Sequence, residues 1–480
     1  MKKSVNYGER NIFMSKFRIR LSKFISEKFI CKTDIYFIGV ISLLILHFFC
    51  QIQVTEYQYD AWAYWDESGL YGLENFNLLN YNHSLRGYLF PLFLYFLRKL
   101  AYVGIGTEQL NWWIGNSLLL AAFFTLLVPQ IIEIMFGVRV SGKSRVVFLI
   151  ISMFMFRGMI VYPLTDLFGI MLSCLAIYFF LLLMKEKITK KLIQILCAIC
   201  MGAALAGAYY IRPVYLIVWI ALMCFSFGCI VKTKKRVLLY MILGMLFIAM
   251  PQIRINRAHF NTYSPMVQTQ VDRGESLYLS QLKWGIIMQK YETNIDKSVK
   301  DVSAGMAFKD SIGEAILEKE EIDSYFTYII FCIRHFADMT CIYLKHIFNG
   351  LDIIYPNIYI ENLYSNRFIT QFVNYMLMFI GGEGLAYYIK KKYWDGLTIG
   401  TVLIYSLPIL LVIPTAVETR FFVGVHIVIY LFAAMVLMNV NWWQNIWKCK
   451  WKKIGRFLLF LGLCFLLNSQ TFNCYGIPLW

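Results

Sequence analysis

Charge is scarce in this chain: Asp, Glu, Lys and Arg make up 16% of 480 residues, against 59% apolar residues and 17% aromatics. No soluble domain with a polar surface accommodates that ratio, and the mean hydropathy of +0.58 points the same way. Proline is sparse too, with 10 in the chain, and there is no Pro/Gly/Ser-rich linker, low-complexity tract or internal repeat. One membrane domain with an insertion is the simplest organisation, and the inverted repeats of many transporters are not evident. Histidine occurs 6 times, no Asp-x-Asp is present, and the 12 cysteines have neither metal-ligand spacing nor histidines to match. Most of them (Cys174, Cys197, Cys200, Cys224, Cys229, Cys464) lie inside apolar runs and read as small core hydrophobes rather than a disulfide framework.

Apolar runs of about 20 residues recur along the chain, the length a helix needs to cross roughly 30 Å of hydrocarbon. The fold class expected is therefore an all-α polytopic membrane protein. The net charge of +17 sits in short basic clusters between those runs, where it sets topology, and this argues against nucleic acid as a partner. Residues 1–34 hold nine Lys/Arg against three acids, which predicts a cytoplasmic basic N-terminus and an uncleaved first anchor, Ile35 to Val54. Thr55 to Leu85 carries five acids and no Lys or Arg, as an outer loop should.

Alternating the spans from there gives about 11 crossings. They are 35–54, 110–136, 146–162, 164–184, 193–210, 214–231, 237–251, 368–388, 397–416, 421–438 and 457–467. Every strongly basic loop then falls inside and the C-terminus outside. The segment 86–102, with Arg98 and Lys99, reads as interfacial helix, a true span being the runner-up. Residues 254–367 form an extracytoplasmic segment. Its stretch Tyr325 to Ile354 contains Arg334, His335, Asp338, Lys345 and His346, which suit an interfacial or cavity-lining helix better than a lipid-exposed one. Residues 368–480 supply C-terminal membrane helices, and the localisation expected is a bacterial plasma membrane.

The polar residues left over cluster at span ends on the outer side. They are Asp60, in an acidic aromatic loop with Tyr57, Tyr59, Trp62, Tyr64, Trp65, Asp66 and Glu67; Asp166 in the Tyr162–Asp166 turn; Arg212 in Tyr210–Pro213; and Glu418 with Arg420 before Phe421 and Phe422. A carboxylate beside a bound hydroxyl can serve as general base, and guanidiniums can hold a phosphate and the charge it gains on leaving. Rings around Asp60 can stack on a sugar face, although an interfacial aromatic belt has the same composition.

Asp60 with Tyr64, followed by Gly87-Tyr88 and Pro91, resembles the first-loop signature of GT-C glycosyltransferases of the protein-mannosyltransferase and aminoarabinose-transferase type. The Tyr162–Asp166 turn, Tyr210–Pro213 and Glu418–Phe422 are similar to later landmarks of those enzymes, so the resemblance covers the layout of the first 255 residues and the Glu418 region. It implies a seven-span module over residues 35–253 with its catalytic first outer loop at 55–109. The activity implied is inverting transfer of a sugar from a polyprenyl-phosphate donor to a glycan, lipid or protein acceptor. Carried over, Asp60 is the base, Asp166 a second acid, and Arg212 and Arg420 face the lipid phosphate. Tyr64, Asp66, Glu67, Arg86 and Glu418 complete the substrate-binding set. Asp60 is followed by Ala61 where the mannosyltransferases commonly have a second acid, which keeps Asp66 and Glu67 as rival working acids. No cofactor is implied as certain; a monophosphate donor does not demand a divalent metal, and the sequence leaves one open. Two other readings stay open. One is a polysaccharide polymerase or ligase, using outer-loop Arg254, Arg257 and Arg273; the other is a transporter or flippase, for which Arg157 and Gly158 are the mid-span candidates.

Overall fold

The computed structural model describes residues 31–185, 188, 190–230, 235–269, 276–296, 305–362, 367–391, 394–439 and 450–472. The basic N-terminus up to residue 30, Arg273 and several of the basic loop residues (Lys187, Lys232, Lys234, Lys392, Lys448) lie outside the described residues.

Helices dominate. In chain order they are α1 (Lys32–Cys50), α2 (Tyr59–Gly69), α3 (Leu89–Tyr102), α4 (Glu108–Phe136), α5 (Gly142–Met155), α6 (Arg157–Val161), α7 (Thr165–Met184), α8 (Lys191–Ile211), α9 (Leu216–Ile230) and α10 (Lys235–Phe260). After α11 (Leu277–Ile287) come strands β1 (Met288–Asn294) and β2 (Gly305–Lys309) and helices α12 (Ser311–Leu317), α13 (Tyr325–Arg334) and α14 (Phe336–Leu351). Strand β3 (Tyr359–Ile360) precedes α15 (Phe368–Lys391), α16 (Gly396–Val412), α17 (Val423–Leu437) and α18 (Lys450–Phe472).

Among the described residues, 7 helices are long and apolar enough to cross a membrane: α1, α4, α7, α8, α10, the Thr419–Leu437 stretch containing α17, and α18. The chain is a multi-pass membrane protein. Each of the seven falls on an expected span. The other four expected spans are shorter, broken or more polar. α9 and α16 have 15 and 17 residues, about 22–26 Å at 1.5 Å per residue. The 146–162 span is broken at Phe156 into α5 and α6, and α15 carries Glu383 and a basic end.

Packing is tightest where side chains are smallest. A Cβ at Gly202 on α8 would run into the Met241 carbonyl of α10, and one at Gly244 into Ile199 of α8, so these two backbones approach closely through reciprocal glycines. Gly202→Val is expected to force α8 and α10 apart and lower the melting temperature of the detergent-solubilised protein by several degrees; an unchanged melting curve would remove this contact from the stabilising set.

Among the described residues of 254–367 are elements absent from the sequence reading: helices α11 and α12, and a three-stranded sheet of order β2-β1-β3, antiparallel between β1 and β2 and parallel between β1 and β3. The stretch expected as one helix from Tyr325 to Ile354 is two, α13 and α14, broken at His335. α13 has 10 residues, about 15 Å and half a bilayer core, which excludes a crossing by that helix. Arg334 and His335 both reach Glu320 at the break, at 3.2 and 3.1 Å. α3, at 14 residues or about 21 Å, is likewise too short to span, which disfavours that runner-up. Its Arg98 and Lys99 are spent on neighbouring segments, Arg98 on the Trp65 carbonyl of α2 and on Glu108 at the start of α4, Lys99 on the Leu73 carbonyl.

Candidate functional site

The first turns of α2 set the site. Asp60, Tyr64 and Glu67 recur at i, i+4 and i+7 and so share one helix face, and that face meets Arg86. Its guanidinium spans Asp60 Oδ1 (2.9 Å) and Glu67 Oε1 (2.7 Å) and lies 4.8 Å from the Tyr64 ring centre. Asp66 lies about 240° round the helix from Asp60; it is exposed and outside this group. Glu67 is 4% exposed, accepts from the Tyr81 hydroxyl at 3.3 Å and lies 3.3 Å from His83 Nε2. Burial pushes its carboxyl up, opposed by Arg86 and Tyr81. Burial and the Arg86 charge take His83 down to about 4, so it stands beside Glu67 as a neutral imidazole. Glu67 is thus an anchor for Arg86, enclosed on every side, rather than a group facing substrate.

Three later segments close on Asp60. Asp166 stands in the first turn of α7, where the helix N-terminus favours a negative charge, and the neighbouring Thr165 hydroxyl is 3.3 Å from that of Tyr64. Arg212, extended at the α8–α9 turn, pairs with Asp166 Oδ1 and stacks on Phe421, 4.9 Å from the ring centre. Arg420, just before α17, has Nη2 2.8 Å from Asp60 Oδ2 and donates from Nη2 to Glu418 Oε1 at 3.2 Å, with Nη1 3.9 Å from Asp166 Oδ2. Gly87 allows the first loop to sit this close, because a Cβ there would strike the Tyr210 carbonyl at the end of α8.

Four carboxylates therefore meet three guanidiniums in one connected set, and the carboxylates hold every guanidinium. Asp60 remains about a third exposed, its side chain at 34%. Burial would raise its carboxyl, but Arg420 and then Arg86 outweigh it and hold it at about 2. A depressed carboxyl contributes stability above its unfolded value, and the contribution is lost as pH falls through the folded one. Asp60→Asn is therefore expected to flatten the decline of melting temperature between pH about 4 and about 2, compared with wild type in the same detergent.

Behind Arg420 stands a layer that hydropathy and charge patterning do not reveal. Thr419 donates to Glu292 Oε1 at 3.2 Å, and Glu292 pairs at 3.2 Å with Lys290, itself 0% exposed and bonded to the Asp352 carbonyl at 3.1 Å. The Tyr291 amide donates to the Val417 carbonyl at 2.8 Å. Strand β1 thus fixes the turn that carries Glu418 and Arg420. No local signal finds it: Lys290 and Glu292 sit in a mixed-charge stretch that reads as solvated.

Comparison of the chain with protein-family models, with curated proteins and with solved structures finds no match. The site's own geometry is what speaks to its chemistry.

From Asp166, Arg212 and Arg420 a narrow cleft of about 30 Å³ runs between α7, α9, α16 and α17. Its walls below the charged head are Ile170, Ile177, Val218, Pro408, Ile409 and Val412, and Tyr405 caps one flank with its hydroxyl on the Gly424 carbonyl. In chemistry, though not in its present width, a charged end and an apolar lining suit an amphipathic ligand whose head accepts hydrogen bonds from guanidinium. Among the described residues no group of three or more His, Cys, Asp or Glu is arranged to hold a metal ion. Arg157, the mid-span charge, bonds Asn357 Oδ1 at 2.9 Å, and the Gly158 amide bonds the Pro356 carbonyl at 3.0 Å, so the helix break at Phe156 is filled by the chain before β3. Arg254 is exposed at the end of α10, and Arg257 stacks on Tyr263.

Proposed function

We propose that this protein is an integral-membrane glycosyltransferase that moves a sugar from a polyprenyl-phosphate donor to an extracytoplasmic acceptor with inversion, on a GT-C-like module within about 11 spans. The observation that carries the reading is the cleft. Two arginines stand at the head of an apolar furrow, and a carboxylate that is about a third exposed shares one of them. The charged head suits a lipid phosphate and the apolar lining an isoprenoid chain, for which the walls of this narrow cleft have to part, and Asp60 reaches its head through Arg420.

In the transfer, the acceptor oxygen attacks the anomeric carbon as its proton passes to an Asp60 carboxylate oxygen. The bond from the anomeric carbon to the phosphate oxygen breaks, and its electron pair leaves on the phosphate. Arg420 and Arg212 hold the charge so gained. Asp166 keeps Arg212 turned into the cleft, and Arg86, anchored by Glu67, keeps Asp60 in place. With its carboxyl held at about 2, Asp60 is a weak base while Arg420 bonds it. A donor phosphate that draws Arg420 away returns basicity to Asp60 at the moment it is needed. The positive-inside count supports a site outside the plasma membrane with the N-terminus inside.

A transporter needs an unpaired mid-span charge or a broken helix facing a pathway. Arg157 and the Phe156 break are both taken up by the 356–358 backbone and Asn357, which favours the enzyme. The test is turnover of a panel of polyprenyl-phosphate sugars by purified protein in liposomes, scored as release of free polyprenyl phosphate. Consumption of one donor supports the reading; folded protein that consumes none, with glycan, lipid and peptide acceptors supplied, overturns it.

A further inference from the structure

Helix α13 is apolar on two faces, and only one of them is covered. Tyr328 and Phe331, 7% and 1% exposed, turn into a small core with Met339 and Ile342 of α14. On the other side Phe326, Ile329, Ile330 and Ile333 recur at i, i+3, i+4 and i+7, which is one stripe of the helix. Phe326, Ile329 and Ile333 are 71%, 55% and 70% exposed, and Phe336, where α14 starts, is 73% exposed. Open apolar side chains at that density mark an interaction surface rather than a wetted one. The groups that weigh against lipid in this stretch are taken up by the fold. Arg334 and His335 meet Glu320 at the helix break, Lys345 pairs with Asp310 at 2.5 Å, and His346 lies between the Ile413 and Met288 carbonyls at 2.6 and 3.1 Å. Asp338 stands in the first turn of α14, where a helix start favours an acid.

Between the two helices runs a groove of about 270 Å³ whose walls include Ile329, Ile333, Phe336 and Met339. Its polar atoms are spent on one another. The Tyr328 and Tyr343 hydroxyls pair at 2.7 Å, Cys332 Sγ lies 3.4 Å from the Tyr343 oxygen, and the Thr340 hydroxyl donates to the Phe336 carbonyl at 2.7 Å. Hydrocarbon walls without a polar group turned to the ligand select a hydrocarbon occupant, whereas a protein interface ordinarily carries a polar rim. The place of the hairpin says what supplies that occupant. The Tyr325 ring lies 6.2 Å from that of Tyr278, whose hydroxyl donates at 2.8 Å to the Leu411 carbonyl in the last turn of α16. At the far end of the hairpin His346 reaches the Ile413 carbonyl just past α16. Its base is thus level with the end of a helix that turns Ile399, Leu403 and Leu410 outward, as a helix against lipid does.

We propose that the α13–α14 hairpin is seated in the leaflet on the side of the charged site, and that lipid acyl chains cover its open stripe and fill its groove. At 10 residues, about 15 Å, α13 lies along that leaflet rather than through the bilayer. Arg334, at the break and 63% exposed, reaches the headgroups as a long cation at an interface does. The seat bears on the site. His346 ties α14 to the Met288 carbonyl at the start of β1, the strand that holds the Arg420 turn, so the bilayer surface sets the height of that strand.

The experiment uses the full-length protein in phosphatidylcholine liposomes doped with a phosphatidylcholine that carries a diazirine in one acyl chain. After illumination, labelled peptides are mapped by mass spectrometry. Labels are expected between Tyr325 and Leu344 in a yield within about threefold of that on the exposed Leu458 and Leu459 of α18. Ile333→Asp together with Phe336→Asp puts two charges on the open face without touching the core. Labelling of the stretch should then fall at least about fivefold, while the α18 labels and the melting temperature in detergent stay as in wild type. Labels on α18 with none on the stretch overturn the proposal, as does undiminished labelling of the stretch in the double variant. Labelling that is present in liposomes and lost in native membrane vesicles assigns the face to a protein partner and overturns it as well.

Discussion

Asp60→Asn is expected to lower transfer at least about a hundredfold and at the same time to tighten, not weaken, the binding of polyprenyl phosphate. The first half follows from removing the only carboxylate of the set that is both exposed and shared with the cleft. The second follows from what Arg420 is doing. It turns Nη2 to both Asp60 and Glu418, so a phosphate arriving at the cleft competes with a carboxylate already 2.8 Å from the guanidinium. Asparagine gives up the charge and with it most of the competition, while Arg86 stays engaged through Glu67. Affinity for a labelled polyprenyl phosphate and turnover, measured on the same preparation, separate the two effects. Loss of binding together with turnover would mean that Asp60 builds the site rather than serving it. Equal turnover by the variant would move the chemistry to another acid, with Asp166 first in line.

The second large effect concerns Arg420 itself. Arg420→Ala leaves Asp60, Glu418 and Asp166 facing one another across a site in which Arg420 was 14% exposed. Its removal leaves Glu418 without a cation, while Asp60 keeps Arg86 and Asp166 keeps Arg212, and breaking a buried pair costs on the order of 3–5 kcal/mol. The variant is therefore expected to melt well below wild type and to bind polyprenyl phosphate at least about a hundredfold more weakly. Arg420→Lys keeps the charge but offers one compact donor head in place of the fork that reaches Asp60 and Glu418 together, and it should recover stability more than binding. A lysine variant with full affinity would show that the phosphate is held elsewhere. Arg212→Lys makes the contrast, because Arg212 has one acid to satisfy and not three.

The membrane character was legible because hydropathy over 20 residues is a property of the chain, independent of what the helices touch. Seven of the eleven expected spans coincide with long apolar helices. The remainder turn on features that a hydropathy window does not see. Phe156 breaks one helix because the chain at 356–358 inserts beside Gly158, and His335 breaks another where Glu320 reaches back to it. The grouping of Asp60, Asp166, Arg212, Glu418 and Arg420 was readable as a shared side of the membrane, since each stands at the end of an apolar run. Asp66, equally acidic and equally placed in the loop, is left out by the pitch of α2, and a sequence window cannot rank it below Asp60 until the helix is known to begin at Tyr59.

What the sequence by itself determined is the solvent: a chain with this little charge and this much apolar length folds in a bilayer, and its stray acids and arginines collect where the spans end. What only the tertiary structure decided is which charges neutralise which. Arg86 lies 26 residues from Asp60, Arg420 some 360 residues from it, and the Lys290–Glu292 pair that steadies Thr419 comes from a strand in a segment with no apolar signal. Coulomb and hydrogen-bond energies depend on separation in space and so are set only when the chain has folded; hydropathy accumulates along the chain and can be read before it folds.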